Sequence, residues 1–373
     1  MKINNKNKIL ICANSSWNIF NFRYNLVKAL INNNFEVLIL SPHDEYSEKL
    51  INIGCKFHEI NFNKSNIGLI NNLLLIYKYF TIIKKLKPDL ILAYTIKPNI
   101  FVSIISKFLK IRIYNIITGL GSSFLGNIII KKLVIFFYKV SLRNSNLIIF
   151  QNNDDMNLFK KYKILNKQTY EIILGSGVNT SFYSYYEIDK KKLDIKFLYI
   201  GRIIKDKGIY ELITAFKNIL SKNSNFNLEL CLLGSADRHN PSNISLSEIK
   251  KWESDNIIKH IEYKKDIREY IKLSDCIILP SYREGLPMSL LEASSCGRPM
   301  ISTNVPGCKD VVIDNYNGYL CEKENSYDLQ LKIEKFINTK IDIRIQMGIN
   351  ARENVIKKFD EKIIIDKYLK LII

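Results

Sequence analysis

The chain has 373 residues, 47% of them hydrophobic, with 55 Lys and Arg against 36 Asp and Glu for a formal charge of +19. That length allows two domains with cores of their own. It excludes a small disulfide-stapled scaffold, since the seven cysteines are scattered without a C-x-x-C pair and read as reduced thiols of a cytosol. No apolar run approaches the roughly 18–20 residues of a membrane span, and MKINNKNKILICAN runs straight into a strand-like segment without a signal-peptide pattern. Residues 1–180 hold 24 bases and 9 acids, residues 181–373 hold 31 and 27, so the first half carries most of the excess. Such asymmetry suits nucleic acid, an anionic membrane surface or a polyphosphate ligand.

In chain order, KILICAN is a strand, followed by a polar loop and the helical FRYNLVKALINN. A dinucleotide site would show G-x-G-x-x-G here, and it is absent, which argues against such a cofactor. Asn14, Ser15 and Ser16 are placed to line a cleft wall, with Arg23 opening the helix. FEVLILSP and LILAYT are further strands, and Lys97 lies just past the second. IYNIIT leads into ITGLGSSF, where Thr118, Gly119 and Gly121 follow the strand and the backbone can approach a ligand closely. IIIKKLVIFFYKVSLR then reads as an amphipathic helix. At 100° per residue Lys131, Lys132, Lys139 and Arg143 fall at about 0°, 100°, 80° and 120°, one basic sector suited to an anionic bilayer. LIIFQN closes the first series of strands.

The polar segment ILGSGVNTSFYSYYEIDKKKLD reads as a hinge, after which the pattern restarts with KFLYIG, LELCLLG, CIILPS and PMIST. Continuous apolar strands separated by helices indicate parallel sheets covered on both faces. The expected architecture is α/β: two doubly wound, Rossmann-like domains facing each other across a cleft. They span 1–175 and 176–355, with a terminal helix, 356–373, that could pack back toward the first domain. In GRIIKDKG, Gly201 and Arg202 end a strand, and Lys207 with Gly208 opens a helix. Two cations at a strand end beside a helix N-terminus suit a diphosphate. In PSYREGLPMSLLEASSCGRPM, Glu284 lies on a loop after a buried strand and Glu292 lies one and a half turns into a helix that starts at Pro287. Paired carboxylates near a phosphate-binding strand end can accept hydrogen bonds from sugar hydroxyls. No Asp-x-Asp pair occurs, which disfavours a metal-carried diphosphate. The histidines, His43, His58, His239 and His260, lie outside these motifs.

GRIIKDKG together with PSYREGLPMSLLEASSCGRPMIST, PGCKDVV and NGYL resembles the donor-binding half of the retaining glycosyltransferase family 4, whose fold is GT-B. NFRYNLVKAL, AYTIKPNI and ITGLGSSF are similar to a bacterial subgroup that builds polysaccharide repeat units or glycans on undecaprenyl diphosphate, N-acetylgalactosaminyltransferases among them. The resemblance implies a metal-independent enzyme that needs no cofactor. Its donor would be a nucleotide sugar, UDP-linked, and its acceptor a lipid-linked saccharide at the inner face of the cytoplasmic membrane, where the protein is peripheral. It implies that Arg202 and Lys207 hold the donor diphosphate, that Glu284 contacts the donor sugar, that Glu292 binds the ribose, and that backbone N–H groups around Gly285 and Leu286 meet donor oxygens. Asn14, Ser15, Ser16, Arg23, Lys97, Thr118, Gly119 and Gly121 would then serve the acceptor, with Arg23 toward its diphosphate. Relatives carry a cleft histidine near Thr118, and this chain does not. Two other classes stay open: a nucleotide-sugar 2-epimerase of the same fold, and a non-enzymatic basic protein binding membrane or nucleic acid. The latter lacks any recognised nucleic-acid motif.

Overall fold

The computed structural model describes residues 7–61, 68–120, 124, 128–190, 194–222, 227–238 and 240–373. The chain divides into two units, Met1–Ser176 with Lys362–Ile373, and Gly177–Glu361. The first alternates β1 (Lys8–Cys12), α1 (Ser16–Asn32), β2 (Glu36–Ser41), α2 (Ser47–Asn52), β3 (Lys56–Glu59), α3 (Leu69–Leu86), β4 (Leu90–Tyr94), α4 (Ile96–Leu109), β5 (Arg112–Ile117), α5 (Ile128–Ser141), β6 (Leu147–Phe150), α6 (Asn153–Lys161) and β7 (Tyr170–Ile172). Its strands pair in parallel in the order β3-β2-β1-β4-β5-β6-β7. LILAY and LIIF are buried throughout, because helices lie over both faces of a parallel sheet. On one face Ile19, Val27 and Leu30 of α1 meet Ile9, Ile11 and Leu92. On the other, Leu75, Tyr79 and Ile83 of α3 meet Leu10, Leu38 and Leu40. Each such aliphatic side chain contributes about 1.5–3 kcal/mol by leaving water.

The second unit runs β8 (Ile195–Ile200), α7 (Ile209–Lys222), β9 (Leu228–Leu233), α8 (Leu246–Ser254), β10 (Lys259–Ile261), α9 (Arg268–Leu273), β11 (Cys276–Leu279), α10 (Met288–Ser295), β12 (Met300–Thr303), α11 (Cys308–Val311), β13 (Gly318–Cys321), α12 (Ser326–Asn338) and α13 (Ile341–Phe359). Its parallel order is β10-β9-β8-β11-β12-β13. The last helix, α14 (Glu361–Ile372), places Ile364, Tyr368 and Ile372 in the core of the first unit. It starts at Glu361 rather than at 356, because Asp360 is extended and its carboxylate accepts a hydrogen bond from the Thr180 hydroxyl. There Val178 N–H donates to Phe359 O at 2.9 Å and Glu361 N–H to Val178 O at 3.0 Å. Gly177, at φ +76°, allows this: a Cβ would lie 2.5 Å from Glu361 Cα.

Strand order reverses between β1 and β4 in the first sheet and between β8 and β11 in the second. Loops leaving the carboxyl ends of such strand pairs diverge to opposite faces and leave a ligand crevice.

Candidate active site

In the second unit the switch point gathers residues from both diverging loops. After β8 come Gly201 and Arg202, then a single 3-10 turn, Lys205–Lys207, that leads through Gly208 into α7. After β11 comes the loop holding Glu284, then α10. Lys207 Nζ and Glu284 Oε1, 77 residues apart in sequence, form an ion pair. Their side chains are only 19% and 13% exposed, so each depends on the other for compensation of its charge. Two glycines permit this approach. At Gly208, φ +72°, a Cβ would lie 2.1 Å from Pro280 O, so the turn carrying Lys207 sits directly on the end of β11. At Gly307, φ +82°, a Cβ would lie 2.6 Å from Gly285 O and 2.9 Å from Glu284 Cβ. The Glu284 N–H also donates to Pro306 O at 3.2 Å, so the loop after β12 buttresses the glutamate.

Arg202 has a different partner. Its side chain is 59% exposed and donates from Nη1 to Asp237 Oδ2 at 2.9 Å, while buried Tyr199 donates its hydroxyl to Arg202 O at 2.6 Å. Asp237, just beyond β9, was not foreseen. Its signal is an acid soon after a strand end, in GSAD. Gly285 and Leu286 are half-buried in the turn before α10, a helix whose N-terminus has no side-chain cap. Its first amides therefore point at whatever lies beyond Pro287.

Glu292 sits in the second turn of α10, half-buried behind Tyr183. Burial raises its carboxyl to about 7, partly offset by a hydrogen bond from the Tyr183 hydroxyl. Tyr183 belongs to the segment read as a hinge, so nothing in the strand–loop–helix pattern pointed to it.

In the first unit the fold itself takes up several of the polar side chains expected to serve a ligand. Ser15 caps α1, accepting from Asn18 N–H at 3.2 Å. Ser16 is buried, 2.9 Å from both Ser41 Oγ and Ser47 Oγ and 3.0 Å from Pro42 O. Arg23, expected to open a helix and face an acceptor diphosphate, lies in the middle of α1 and is 5% exposed. Its guanidinium stacks 3.9 Å from the Tyr94 ring centroid and donates to Asn18 Oδ1 at 2.7 Å and Asn18 O at 3.0 Å. Burial lowers its pKa, opposed by Tyr94 and Tyr368. At the carboxyl ends of β1, β4 and β5 this leaves half-buried Asn14, Lys97, Thr118 and Gly119; Gly121 lies outside the described residues. Lys97, in the first turn of α4, has its pKa lowered by burial. Before it, Thr95 is held at φ +66°, ψ 165°, a conformation rare for a β-branched residue, with a buried hydroxyl that has no partner. Such strain concentrates at functional positions.

The four bases of the amphipathic segment do not form its outer face. Lys131 is half-buried, 5.5 Å from the Tyr162 ring and 5.8 Å from that of Phe124. Lys139 is half-buried, and Lys132 and Arg143 are exposed, Arg143 on the 3-10 turn after α5. Of the histidines, His260 Nε2 lies 2.9 Å from Gly234 O, His43 is 4.0 Å from Glu48, His58 is half-buried, and His239 lies outside the described residues. All seven cysteines are buried and unbridged. Among the described residues no group of three or more His, Cys, Asp or Glu side chains is placed to hold a metal ion, and no helix is long and apolar enough to cross a membrane.

Residues 186–354 match the family Glycosyl transferases group 1, and residues 8–152 match Glycosyl transferase 4-like. The chain is similar to the N,N'-diacetylbacillosaminyl-diphospho-undecaprenol alpha-1,3-N-acetylgalactosaminyltransferase of Campylobacter jejuni, 28% identical over 98% of each chain. It is also similar to an uncharacterized glycosyltransferase of Methanocaldococcus jannaschii, 30% identical over 88% of this chain and 87% of that one. Among solved structures, Anabaena HepE in complex with UDP and glucose superposes with a TM-score of 0.78 at 17% identity, over 98% of both chains. A glycosyltransferase from Rickettsia africae does so with 0.77 at 20%, again over 98% of both. The two parallel, doubly wound sheets are those of the GT-B fold.

Proposed function

The chain belongs to the glycosyl transferases of group 1, and from that premise we propose that it is a retaining, metal-independent enzyme moving a hexose or N-acetylhexosamine from a UDP-sugar to a saccharide carried on a polyprenyl diphosphate. It does so in the assembly of a surface polysaccharide or glycan, held peripherally at the inner face of the cytoplasmic membrane. The Campylobacter relative, named for a diphospho-undecaprenol acceptor, supports the acceptor class, and the HepE complex with UDP supports the nucleotide.

The observation that carries the reading is the Lys207–Glu284 pair at the β8/β11 switch point. Breaking a glycosyl–phosphate bond places negative charge on the departing diphosphate, and fixed cations favour that transition state without a metal. Lys207 and Arg202 are assigned to the diphosphate. Glu284, beside Lys207, takes hydroxyls of the transferred sugar, Glu292 takes those of the ribose, and the backbone at Gly285 and Leu286 meets donor oxygens. Asn14, Lys97, Thr118 and Gly119 are assigned to the acceptor side. The test is a panel of UDP- and GDP-sugars offered to the purified chain with a polyprenyl-diphosphate-linked saccharide. Transfer from one UDP-sugar with retention at the anomeric carbon is expected. Turnover of GDP-sugars alone would contradict the donor assignment, and conversion of free UDP-N-acetylhexosamine into its 2-epimer without acceptor would contradict the transfer.

A further inference from the structure

Helices α3, α4 and α5 lie side by side over one face of the first sheet, with α3 touching α4 and α4 touching α5. All three follow strands of one parallel sheet, so α3 and α5 both begin at its carboxyl edge, the edge that carries Lys97 and Thr118. α3 is apolar twice over. Leu75, Tyr79 and Ile83 enter the core, while Ile70, Leu73, Leu74 and Tyr77, at the i, i+3, i+4, i+7 spacing of a second stripe, face solvent, Leu73 57% and Tyr77 66% exposed. α5 repeats the arrangement. Ile135 and Tyr138 are buried, while Ile129, Leu133, Phe136 and Val140 are exposed, Leu133 51% and Phe136 58%. Relative to Lys131, those four point to about 160°, 200°, 140° and 180° at 100° per residue. Lys132 and Lys139, at about 80–100°, line one flank of that apolar face, and Arg143 is exposed on the 3-10 turn that follows α5. Singly exposed apolar residues are ordinary, but two such stripes on helices of one layer mark an interaction surface.

The charge around these stripes identifies the occupant. The three helices contain eight lysines and no Asp or Glu, and residues 60–152 hold 13 Lys and Arg against one acid, Asp89. A second copy docked here would set bases against bases, whereas an anionic lipid surface complements them. Between the stripes, α4 exposes little besides Lys107 and Phe108, so the outer contour is two ridges rather than one flat face. A fluid surface accommodates such a contour more readily than a rigid partner does.

We propose that α3 and α5 lie in the plane of an anionic phospholipid bilayer, with Leu73, Tyr77, Leu133 and Phe136 in the acyl boundary and Lys132, Lys139 and Arg143 on the headgroups. Burial of apolar side chains, rather than charge alone, then holds the protein there. For its purpose the surface rests on the lipid-linked acceptor proposed above; its geometry does not depend on that reading.

The test uses the full chain and vesicles of phosphatidylcholine with about 30% phosphatidylglycerol, without donor or acceptor. The protein should co-sediment, and part of it should stay bound in ~1 M salt, where the Debye length falls to about 3 Å. A Leu133→Trp variant should show blue-shifted emission that brominated lipid quenches. Leu73→Glu with Leu133→Glu should weaken partitioning at least ~10-fold, with unchanged circular dichroism and unchanged transfer to a short-chain soluble acceptor. Lys132→Gln with Arg143→Gln should lower binding at low salt and leave the salt-resistant part. Binding fully released by salt and indifferent to the double glutamate change overturns the proposal. So does lipid-free self-association that the same change abolishes, because the occupant is then a second copy. Absence of vesicle binding beside intact transfer removes this surface and leaves the enzymatic reading. Vesicle binding without any transfer does the reverse.

Discussion

Replacing Lys207 with alanine separates two roles that the geometry combines. Its ammonium is paired with Glu284 in a site where neither side chain is more than 19% exposed. If Lys207 stabilises the departing diphosphate, its loss removes one transition-state charge stabiliser, a factor of ~10²–10³ in turnover or about 2.7–4 kcal/mol. The same change leaves the Glu284 carboxylate without its cation, at a cost to folding of about 1–3 kcal/mol. Lys207→Ala should therefore be both slower and less heat-stable than the parent. Glu284→Gln with Lys207→Ala distinguishes the causes, since glutamine needs no counter-charge and stability should largely return. The rate should not return. It should fall below that of Glu284→Gln by a factor similar to the one lost in the single lysine variant, because the lysine acts on the diphosphate and not through the glutamate. Initial rates at saturating UDP-sugar and scanning calorimetry read the two effects. A Lys207→Ala variant with parental turnover refutes the diphosphate role, and a double variant no slower than Glu284→Gln reduces Lys207 to a positioning residue.

Glu292→Gln should weaken binding of free UDP by ~10-fold or more, the scale of losing a hydrogen bond to a charged group, while Glu284→Gln leaves it unchanged and slows transfer; titration calorimetry with UDP reads both, and the opposite pattern would exchange their roles. Burial raises the Glu292 carboxyl from 4.5 to about 7, so between those values the folded chain holds a proton that the unfolded chain has released. Stability then declines as pH rises through that window. Glu292→Gln should accordingly gain melting temperature over the parent at about pH 8 and little at about pH 5, and a gain equal at both would exclude the titration. Transfer should survive excess EDTA, because Lys207 and Arg202 supply the positive charge; complete loss restored by magnesium or manganese would contradict the metal-free reading.

Nine strands were legible in the sequence, and four were not: β3, β7, β10 and β13. These four are the edges of the two sheets. An interior strand of a parallel sheet is covered on both faces and flanked on both sides, so it appears as an unbroken apolar run, as in LILAY or CIIL, buried at every position. KFHE, YEI and KHI contain no fully buried residue. At an edge, one flank and part of each face meet solvent, and the charges that discourage edge pairing also erase the apolar pattern. GYLC is the instructive exception. It is buried at three of four positions, yet it is short and begins with a glycine whose Cβ would lie 2.0 Å from Met300 O. Close backbone approach, not apolar periodicity, defines that strand.

The same distinction governs the site. In the second unit, a lysine on a 3-10 turn and a glutamate on a loop meet at the ends of β8 and β11 and pair with each other rather than with a helix end, so residue type and strand-end position were enough to single them out. In the first unit the fold uses most of the polar groups of the corresponding segment for itself. Ser15 satisfies the N-terminus of α1, Ser16 bridges to the hydroxyls of Ser41 and Ser47, and Arg23 lies against Tyr94 inside the domain. Nothing in NSSWNIFNFR distinguishes a hydroxyl that caps a helix from one that meets a substrate, because both lie at a strand's carboxyl end and both accept hydrogen bonds. The amphipathic segment obeys the same logic inverted. Its bases were conspicuous as charges, yet the outward direction of α5 is set by what the neighbouring sheet and α4 cover. They cover Ile135 and Tyr138 and half-bury Lys131, so a stripe of Ile, Leu, Phe and Val faces outward. Helical periodicity measures the width of an apolar sector. When that sector exceeds what a sheet can cover, the surplus must face something other than the core, and here it lies beside Lys132 and Arg143, on a layer of three helices that contain no Asp or Glu.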